Sequence, residues 1–386
     1  MLLFFYGSHP KISLLELKSL SFYNVHSHYY GADVDMPLPE GIALFNKLGG
    51  FPRVGNILGE YDEKQKNEII KRIALFFSQR AIKKYVVSFF GGAERMFKTG
   101  DIMHALKSEG IKAKYSGKLH EKYASPASVY YLTRRNGVEF CIVQEKKKVY
   151  LCETVAVQDP NYWSLIDFER PHRDKHIGML PSKLARIMVN LSKAQPNELI
   201  WDPFVGQGTI AMQANLLNMQ VLGTDKNPVA VQFSEENMNW LLSRGLIPNK
   251  KTEFFEWDIM ASETTQFAER NINGIVTETF LGAMRSRPFE NADEAGRVWQ
   301  REVQPLLQRL LSISENVLQK GQRIVFVKPI YKYIDKKTVK WYNPEIRFNR
   351  SIWQRVQTSD TFEDNIWIQK DSTIGREIVV LEKLAK

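Results

Sequence analysis

The chain has 386 residues, which at about 150 residues per domain allows two or three domains. Its 44% hydrophobic and 25% charged content is that of an ordinary globular protein and excludes a disordered chain. Lys and Arg exceed Asp and Glu by ten, and that excess is concentrated. Residues 71–150 hold 17 basic and 6 acidic side chains, a local balance of +11, while the other 306 residues sum to −1. Such a segment is the footprint of a polyanion-binding module, with a solvated lysine-rich face as the bland alternative. No apolar run reaches the roughly 18–20 residues of a membrane span, and MLLFFYGSHP lacks the basic n-region of a signal peptide. Cys141 and Cys152 are the only cysteines, too few for a disulfide framework or a thiolate zinc site. A reducing cytoplasm is the expected compartment.

In chain order, residues 2–6 read as a strand and 11–20 as a helix with leucines at helical spacing. YDEKQKNEIIKRIALFFSQR (61–80) predicts a helix with acidic residues early and basic ones late. KYVVSFFGG (84–92) predicts a buried strand stopped by glycines. A helix follows, capped by Thr99 or Asp101 and stopped by Gly110, and then a strand. GVEFCIVQEKKKVYLCETVAVQD (137–159) predicts a hairpin turning at Lys146–Lys148. Residues 158–180 read as an irregular linker. His172 and His176 lie four apart in it, but Pro171 and the lack of a third ligand argue against a metal site, so no metal is expected. From 181 to 386, strands and helices alternate at the rhythm of one doubly wound parallel sheet.

Chemistry concentrates in that second half. ELIWDPFVGQGTIAMQANLLN (198–218) takes an apolar strand to Asp202, then a loop with Gly206 and Gly208, then a helix opening at about Thr209. Glycines at such a junction let the backbone lie close to a ligand. QVLGTDKNP (220–228) ends a second strand at Asp225, nineteen residues after Gly206, the distance at which a carboxylate can bind ribose hydroxyls. GQGTIA also fits a loose dinucleotide pattern. A pyrophosphate, however, would repel Asp202, whereas the ammonium and sulfonium of S-adenosylmethionine would attract it. Asp258, expected to close the next strand, can accept from an adenine amino group. NGIVTETFLG (273–282) ends in Glu278, Thr279 and Phe280. A carboxylate, a free carbonyl and an aromatic ring suit methylation of an exocyclic base amine. The acceptors aim the amine and take its proton, and the ring stacks the extruded base.

At DPFVGQGTI the chain resembles the amino-group methyltransferases of nucleic acids, whose motif reads DPF/CGSGT. The resemblance extends to the THUMP-domain tRNA guanosine-N2 methyltransferases. RPHRDKHIGMLPSKLARIMVNLS (170–192) is similar to the stretch between that family's two halves. VYLCETVAVQD resembles the strand pair ending its THUMP domain, GSHPKISLLEL (7–17) its N-terminal motif, and DSTIGREIVVLEK (371–383) its last hairpin.

The resemblance implies an α/β architecture in four parts. These are a ferredoxin-like N-terminal region (1–60), a THUMP-like RNA-binding domain (61–157), a linker (158–180) and a Rossmann-like methyltransferase domain (181–386). The last would be doubly wound and mostly parallel, with a C-terminal antiparallel hairpin. It further implies S-adenosylmethionine held by Asp202, Pro203, Phe204, Gly206, Gly208 and Thr209, with Asp225 on the ribose and Asp258 on the adenine. Glu278, Thr279 and Phe280 would stand where the acceptor motif D-P-P-Y, or E-P-Y in some relatives, binds guanine. The expected reaction is methyl transfer to N2 of a tRNA guanosine, at the family's usual position 10. Some relatives work alone and others need a small activating subunit; an autonomous monomer is expected here. Val205 and Gln207 depart from the family's cysteine and serine, and Thr279 from its proline, which would fix φ and aim the preceding carbonyl. A DNA amino-methyltransferase, or a tRNA-binding protein that keeps the cofactor fold without catalysis, are the alternatives.

Overall fold

The computed structural model describes residues 1–173, 179–261, 264–283, 285–357, 365–369 and 371–384. Contacts divide the chain into two compact units, Met1–Trp163 and Ser164–Lys386.

The first unit begins with β1 (Leu2–Phe5), α1 (Pro10–Leu20), β2 (Val25–Ser27), β3 (Gly31–Val34), α2 (Leu38–Lys47) and β4 (Arg53–Asp62). These strands pair antiparallel in the order β2-β3-β1-β4, the split-βαβ arrangement of a ferredoxin-like motif. Alternation on β1 sends Leu2 and Phe4 into a core with Leu14, Leu17 and Phe45, and Leu3 and Phe5 to the other face against Cys141 and Cys152. Within the GSHPKISLLEL stretch, the buried Glu16 accepts from the backbone N–H groups of Gly49 and Gly50 at 2.8 and 2.9 Å, and the Ser13 hydroxyl donates to the Gly50 carbonyl at 2.9 Å. A Cβ at Gly50 would fall 2.6 Å from that hydroxyl, so the close approach requires glycine there.

The unit continues with α3 (Lys66–Gln79), β5 (Lys84–Phe90), α4 (Thr99–Ser108), β6 (Lys114–Tyr115), α5 (Pro126–Thr133), β7 (Gly137–Glu145) and β8 (Lys148–Val157). All eight strands form one sheet, β2-β3-β1-β4-β8-β7-β5-β6. The hairpin turns at Lys146, with φ 54°, and Gly110 ends α4 with φ 76°. The helix expected from residue 61 starts at Lys66, because Glu60, Tyr61 and Asp62 are drawn into pairing with Tyr150, Val149 and Lys148. The helix at 99 is preceded by Lys98 at its N-cap, with no side-chain cap bond; Thr99 is its first residue. No break in the sheet falls near residue 60, since β4 runs through it.

One buried network ties the two parts of this sheet together. Arg53 of β4 is ion-paired with Glu139 of β7, and both are nearly inaccessible. Glu139 also accepts from Ser88 at 2.5 Å and Thr154 at 2.6 Å, and Arg53 donates to the Ala124 carbonyl at 2.8 Å. Both cysteines are buried and free.

Residues expected as irregular linker contain a helix, α6 (Pro160–Phe168). Asp159 accepts from the N–H groups of Asn161 and Tyr162 at 2.8 and 3.4 Å, and Pro160 opens the first turn where no N–H is needed. The division between the units falls inside this helix. His176 lies outside the described residues.

The second unit holds α7 (Ser182–Leu191), β9 (Leu199–Asp202), α8 (Thr209–Leu216), β10 (Gln220–Asp225), α9 (Pro228–Ser243), β11 (Thr252–Glu256), α10 (Thr265–Ala268), β12 (Ile272–Glu278), α11 (Ala292–Val298) and α12 (Gln304–Val317). It closes with β13 (Arg323–Asp335), β14 (Thr338–Tyr342), β15 (Trp353–Arg355), β16 (Ile366–Trp367) and β17 (Ile374–Lys383). The sheet order is β11-β10-β9-β12-β13-β17-β15, parallel from β11 to β13 and antiparallel at β17. Its central strands are buried on both faces, which gives the near-continuous apolar runs of the sequence. On one face Trp201, Ile275, Phe326 and Val379 pack with Leu307, Leu310 and Leu311 of α12. Among the described residues no helix is long and apolar enough to cross a membrane.

The Arg53–Glu139 pair generates a stability prediction. Arg53→Met leaves a buried carboxylate without its cation and should cost about 3–5 kcal/mol in equilibrium urea unfolding. Adding Glu139→Gln should recover part of that loss.

Candidate active site

The carboxyl ends of β9, β10 and β12 lie side by side, so three strand-ending acids share one edge of the sheet, where ligands of open α/β sheets bind. Asp202 ends β9 and is 1% exposed. It accepts from the Thr277 hydroxyl at 2.6 Å and the Phe204 N–H at 3.2 Å. Among the described residues no lysine, arginine or histidine is ion-paired with it. Burial, with smaller contributions from the Asp225 and Glu278 charges, pushes its carboxyl up to about 7.

Asp225 ends β10, half-buried, and accepts from the backbone N–H groups of Gly206 and Asn227, both at 3.0 Å. A carboxylate has about four lone-pair sites, so it can brace the loop and still accept from a ligand. The loop takes left-handed backbone at Gly206 (φ 53°) and Gly208 (φ 74°). A Cβ at Gly208 would lie 3.1 Å from the Ser234 hydroxyl. The Gly206 carbonyl accepts from Ser234 at 2.8 Å and the Gln207 carbonyl from Asn237 at 2.8 Å, which leaves α9 as the second support of the loop. Pro203 is buried and Phe204 half-buried beside it. Val205 packs inward: its side chain would lie 2.8 Å from a Cβ at Gly223, so exchanging cysteine for valine alters the core under the loop rather than its backbone. Thr209 opens α8, buried, and accepts from the Arg170 guanidinium at 2.8 Å.

Asp258 lies two residues past the end of β11, exposed, rather than closing the strand. Its carboxylate accepts from the Met260 N–H at 2.9 Å, and the Trp257 N–H donates to the Asp225 carbonyl at 2.9 Å, which sets the turn next to β10. Glu278 ends β12, with 18% of its side chain accessible, and accepts from Arg376 Nε at 2.6 Å. Burial raises its carboxyl and the Arg376 guanidinium opposes that rise. Thr279 is 2% exposed and Phe280 47% exposed, so of the three residues at this strand end the ring is the most open. Thr277, Ser234, Asn237, Arg170 and Arg376 are the supports that sequence reading missed. Buried polar residues inside helices and strands were the available signal for Thr277, Ser234 and Asn237; Arg170, outside any helix or strand, and Arg376 offered none. Among the described residues no group of three or more His, Cys, Asp and Glu could hold a metal ion.

A DNA methylase family model matches residues 56–236. Over 195 residues the chain is 26% identical to a tRNA (guanine(10)-N2)-dimethyltransferase of Methanothermobacter thermautotrophicus, covering 49% of this chain and 52% of that protein. Over 78 residues it is 32% identical to the protein of the same name from Methanocaldococcus jannaschii, covering 20% and 21%. The chain is similar to the tRNA guanine-N2 methyltransferases. The matched stretches span about half the length of the first relative and a fifth of the second. TrmN from Thermus thermophilus superposes over 100% of both chains with a TM-score of 0.51 and 14% identity. The fold is therefore the Rossmann-like methyltransferase fold preceded by an α/β unit.

The residues present fit S-adenosylmethionine. A buried carboxylate with no cation partner among the described residues calls for a cationic ligand, the glycine backbone leaves room for close approach, and Asp225 at its strand end and Asp258 in the turn beyond β11 present acceptors. Asp202 stays protonated in the folded protein at pH values where it is ionised in the unfolded chain. The folded state thus binds the extra proton, and this group's contribution to stability falls as pH rises from about 4 to 7. The full shift corresponds to roughly 4 kcal/mol at most. Asp202→Asn should remove this slope from pH-dependent urea unfolding and stabilise the ligand-free protein at pH 8. Calorimetry should show that the same variant binds S-adenosylmethionine far more weakly.

Proposed function

We propose that this protein is a cytoplasmic S-adenosylmethionine-dependent methyltransferase that modifies N2 of a guanosine in tRNA, at position 10. The observation that carries the reading is the buried Asp202, without a cation partner among the described residues, beside the glycine loop, with Glu278 ending the adjacent strand and the exposed Phe280 just beyond it. Similarity to the two tRNA (guanine(10)-N2)-dimethyltransferases supports guanine as the acceptor. Bound S-adenosylmethionine would supply an electrophilic methyl group on a sulfonium. Asp202, Pro203, Phe204, Gly206, Gly208 and Thr209 would hold its methionine end, Asp225 its ribose and Asp258 its adenine. Phe280 would stack the extruded guanine, whose unpairing costs a few kcal/mol, and Glu278 would accept from N2. Thr279 contributes its backbone, its side chain being buried.

The DNA methylase match favours a second reading, a DNA amino-methyltransferase. That match ends at residue 236, before the strand that carries Glu278, so it bears on the cofactor half and not on the acceptor.

The cationic segment supports a tRNA partner bound through phosphates and shape. Lys83, Lys112 and Lys114 are exposed around the edge strand β6, and Lys84 is half-buried there. Lys118 is exposed but paired with Glu121 at 2.8 Å. We take the protein to act as a monomer; a small activating subunit is the other arrangement.

Incubation with unmodified tRNA and methyl-labelled S-adenosylmethionine should place the label on N2-methylguanosine, with folded tRNA preferred over duplex DNA. Label on duplex DNA alone would overturn the reading. Glu278→Ala should retain cofactor binding and lower turnover at least about tenfold. Replacing Lys83, Lys112 and Lys114 together by Glu should weaken tRNA binding and flatten its log–log salt dependence by about 2.

A further inference from the structure

The acceptor carboxylate is held from a strand nearly a hundred residues away in sequence. Glu278 ends β12 and Arg376 lies on β17, with β13 between them. The register sets Glu278 beside Val327 and Arg376 beside Pro329. Val327 and Pro329 are two apart on β13 and so share a face, which lets the guanidinium reach across that strand. Arg376 Nε donates to Glu278 Oε1 at 2.6 Å. Arg376 is 4% exposed, so its side of the pair is closed to water, while Glu278 keeps an accessible edge. No described residue hydrogen-bonds Oε2 of Glu278.

The geometry points to Arg376 as a positioning residue for methyl acceptance. It fixes one oxygen of Glu278, keeps the carboxylate ionised, and leaves Oε2 to take one hydrogen of an exocyclic amine. This inference rests on the methyltransferase reading above and adds to it a residue that touches neither base nor cofactor. The chemistry makes orientation and ionisation the decisive properties. The N2 lone pair of guanine is delocalised into the ring and must be drawn out of conjugation to attack. When N2 bonds to the methyl carbon, the carbon–sulfur bond breaks with its electron pair remaining on sulfur. The nitrogen is left cationic and strongly acidic, and sheds one proton to Oε2. A carboxylate of ordinary basicity is sufficient for that proton, so a raised pKa brings no advantage. Burial alone would push Glu278 toward its neutral form, whose O–H donates where the amine needs an acceptor. The guanidinium opposes that drift, and its Nε–H bond selects one rotamer.

The test compares Arg376→Gln and Arg376→Lys with the unaltered protein in two independent measurements. In the first, the acid limb of kcat against pH should move up by at least about one unit in Arg376→Gln, with kcat at pH 6.5 about tenfold lower. KM for S-adenosylmethionine should stay the same. Arg376→Lys, which restores charge without the guanidinium fork, should bring the limb back while kcat remains reduced. In the second, urea unfolding of ligand-free protein should lose stability more steeply between pH 5 and 8 in Arg376→Gln. Adding Glu278→Gln should abolish that extra slope, which isolates the carboxylate without any turnover. A normal acid limb and no added slope in Arg376→Gln would overturn the proposal, as would a uniform drop that Arg376→Lys does not change. If the unaltered protein transfers no methyl group to tRNA, the function proposed above fails. The unfolding comparison still decides whether Arg376 sets the ionisation of Glu278.

Discussion

At the carboxyl edge of the C-terminal sheet, Asp202 is removed from water, bonded to neutral donors, and close enough to Asp225 and Glu278 for both charges to disfavour its own. Desolvating a carboxylate in this way is expensive unless a cation or several hydrogen bonds answer it. The surrounding structure supplies part of the answer. Thr277 donates from the adjacent strand, the Phe204 N–H donates from the loop, and Asp225 is stabilised by the Gly206 and Asn227 N–H groups. The three N–H bonds fix the backbone of the loop and of the turn after β10. The strain left in the ligand-free site is thus the complement of a positively charged ligand, and the loop geometry follows from the same requirement.

A second constraint comes from β17, which enters the sheet antiparallel between β13 and β15. Consecutive residues of a strand face opposite sides, so Arg376 and Glu377 serve different partners. Arg376 crosses β13 to Glu278, while Glu377, fully buried, is ion-paired on the other face with Lys328 at 2.6 Å and with Arg355. Lys328 donates further to Asn343 at 2.6 Å. Two ion pairs on opposite faces lock the register of β17. A slip of one residue would exchange the faces, leaving Glu278 without its cation and placing Arg376 against Lys328. The position of Glu278 is therefore registered by a network outside the glycine loop.

The strand–loop–helix around Asp202 and the glycines was legible in the sequence because parallel strands announce themselves. An apolar run ending in Asp202, then Gly206 and Gly208, then a helix from Thr209 leaves little freedom, and Asp225 and Glu278 end their strands where the pattern places them. Asp258 fell two residues beyond its strand because β11 stops at Glu256. The start of α3 was misplaced because Glu60–Asp62, polar enough for a helix start, are claimed by pairing with β8. The helix in the 158–180 segment was missed because its polar and aromatic composition hides the Asp159–Pro160 start signal. Arg376 could not be found at all. Its partner is fixed by the register of an antiparallel strand across an intervening one, and no local periodicity encodes that distance.

The departure at Thr279 can be weighed in the same terms. A proline at that position would restrict the turn after β12 through its ring. Here the turn is restrained from outside. The Tyr331 hydroxyl, on a fully buried side chain, donates to the Leu281 carbonyl at 3.0 Å, and Gly282 takes φ 94°. A Cβ at Gly282 would lie 3.2 Å from Val298 and 3.4 Å from the Tyr331 hydroxyl, so the chain reverses against a packed wall. Thr279 itself is buried, and its hydroxyl donates to the Phe280 carbonyl at 3.5 Å. Tertiary contacts from β13 and α11 thus supply much of the rigidity that a proline would have supplied locally. Glu278 and Phe280 lie just before this restrained reversal at Leu281–Gly282, and the missing ring does not by itself argue for an inactive site.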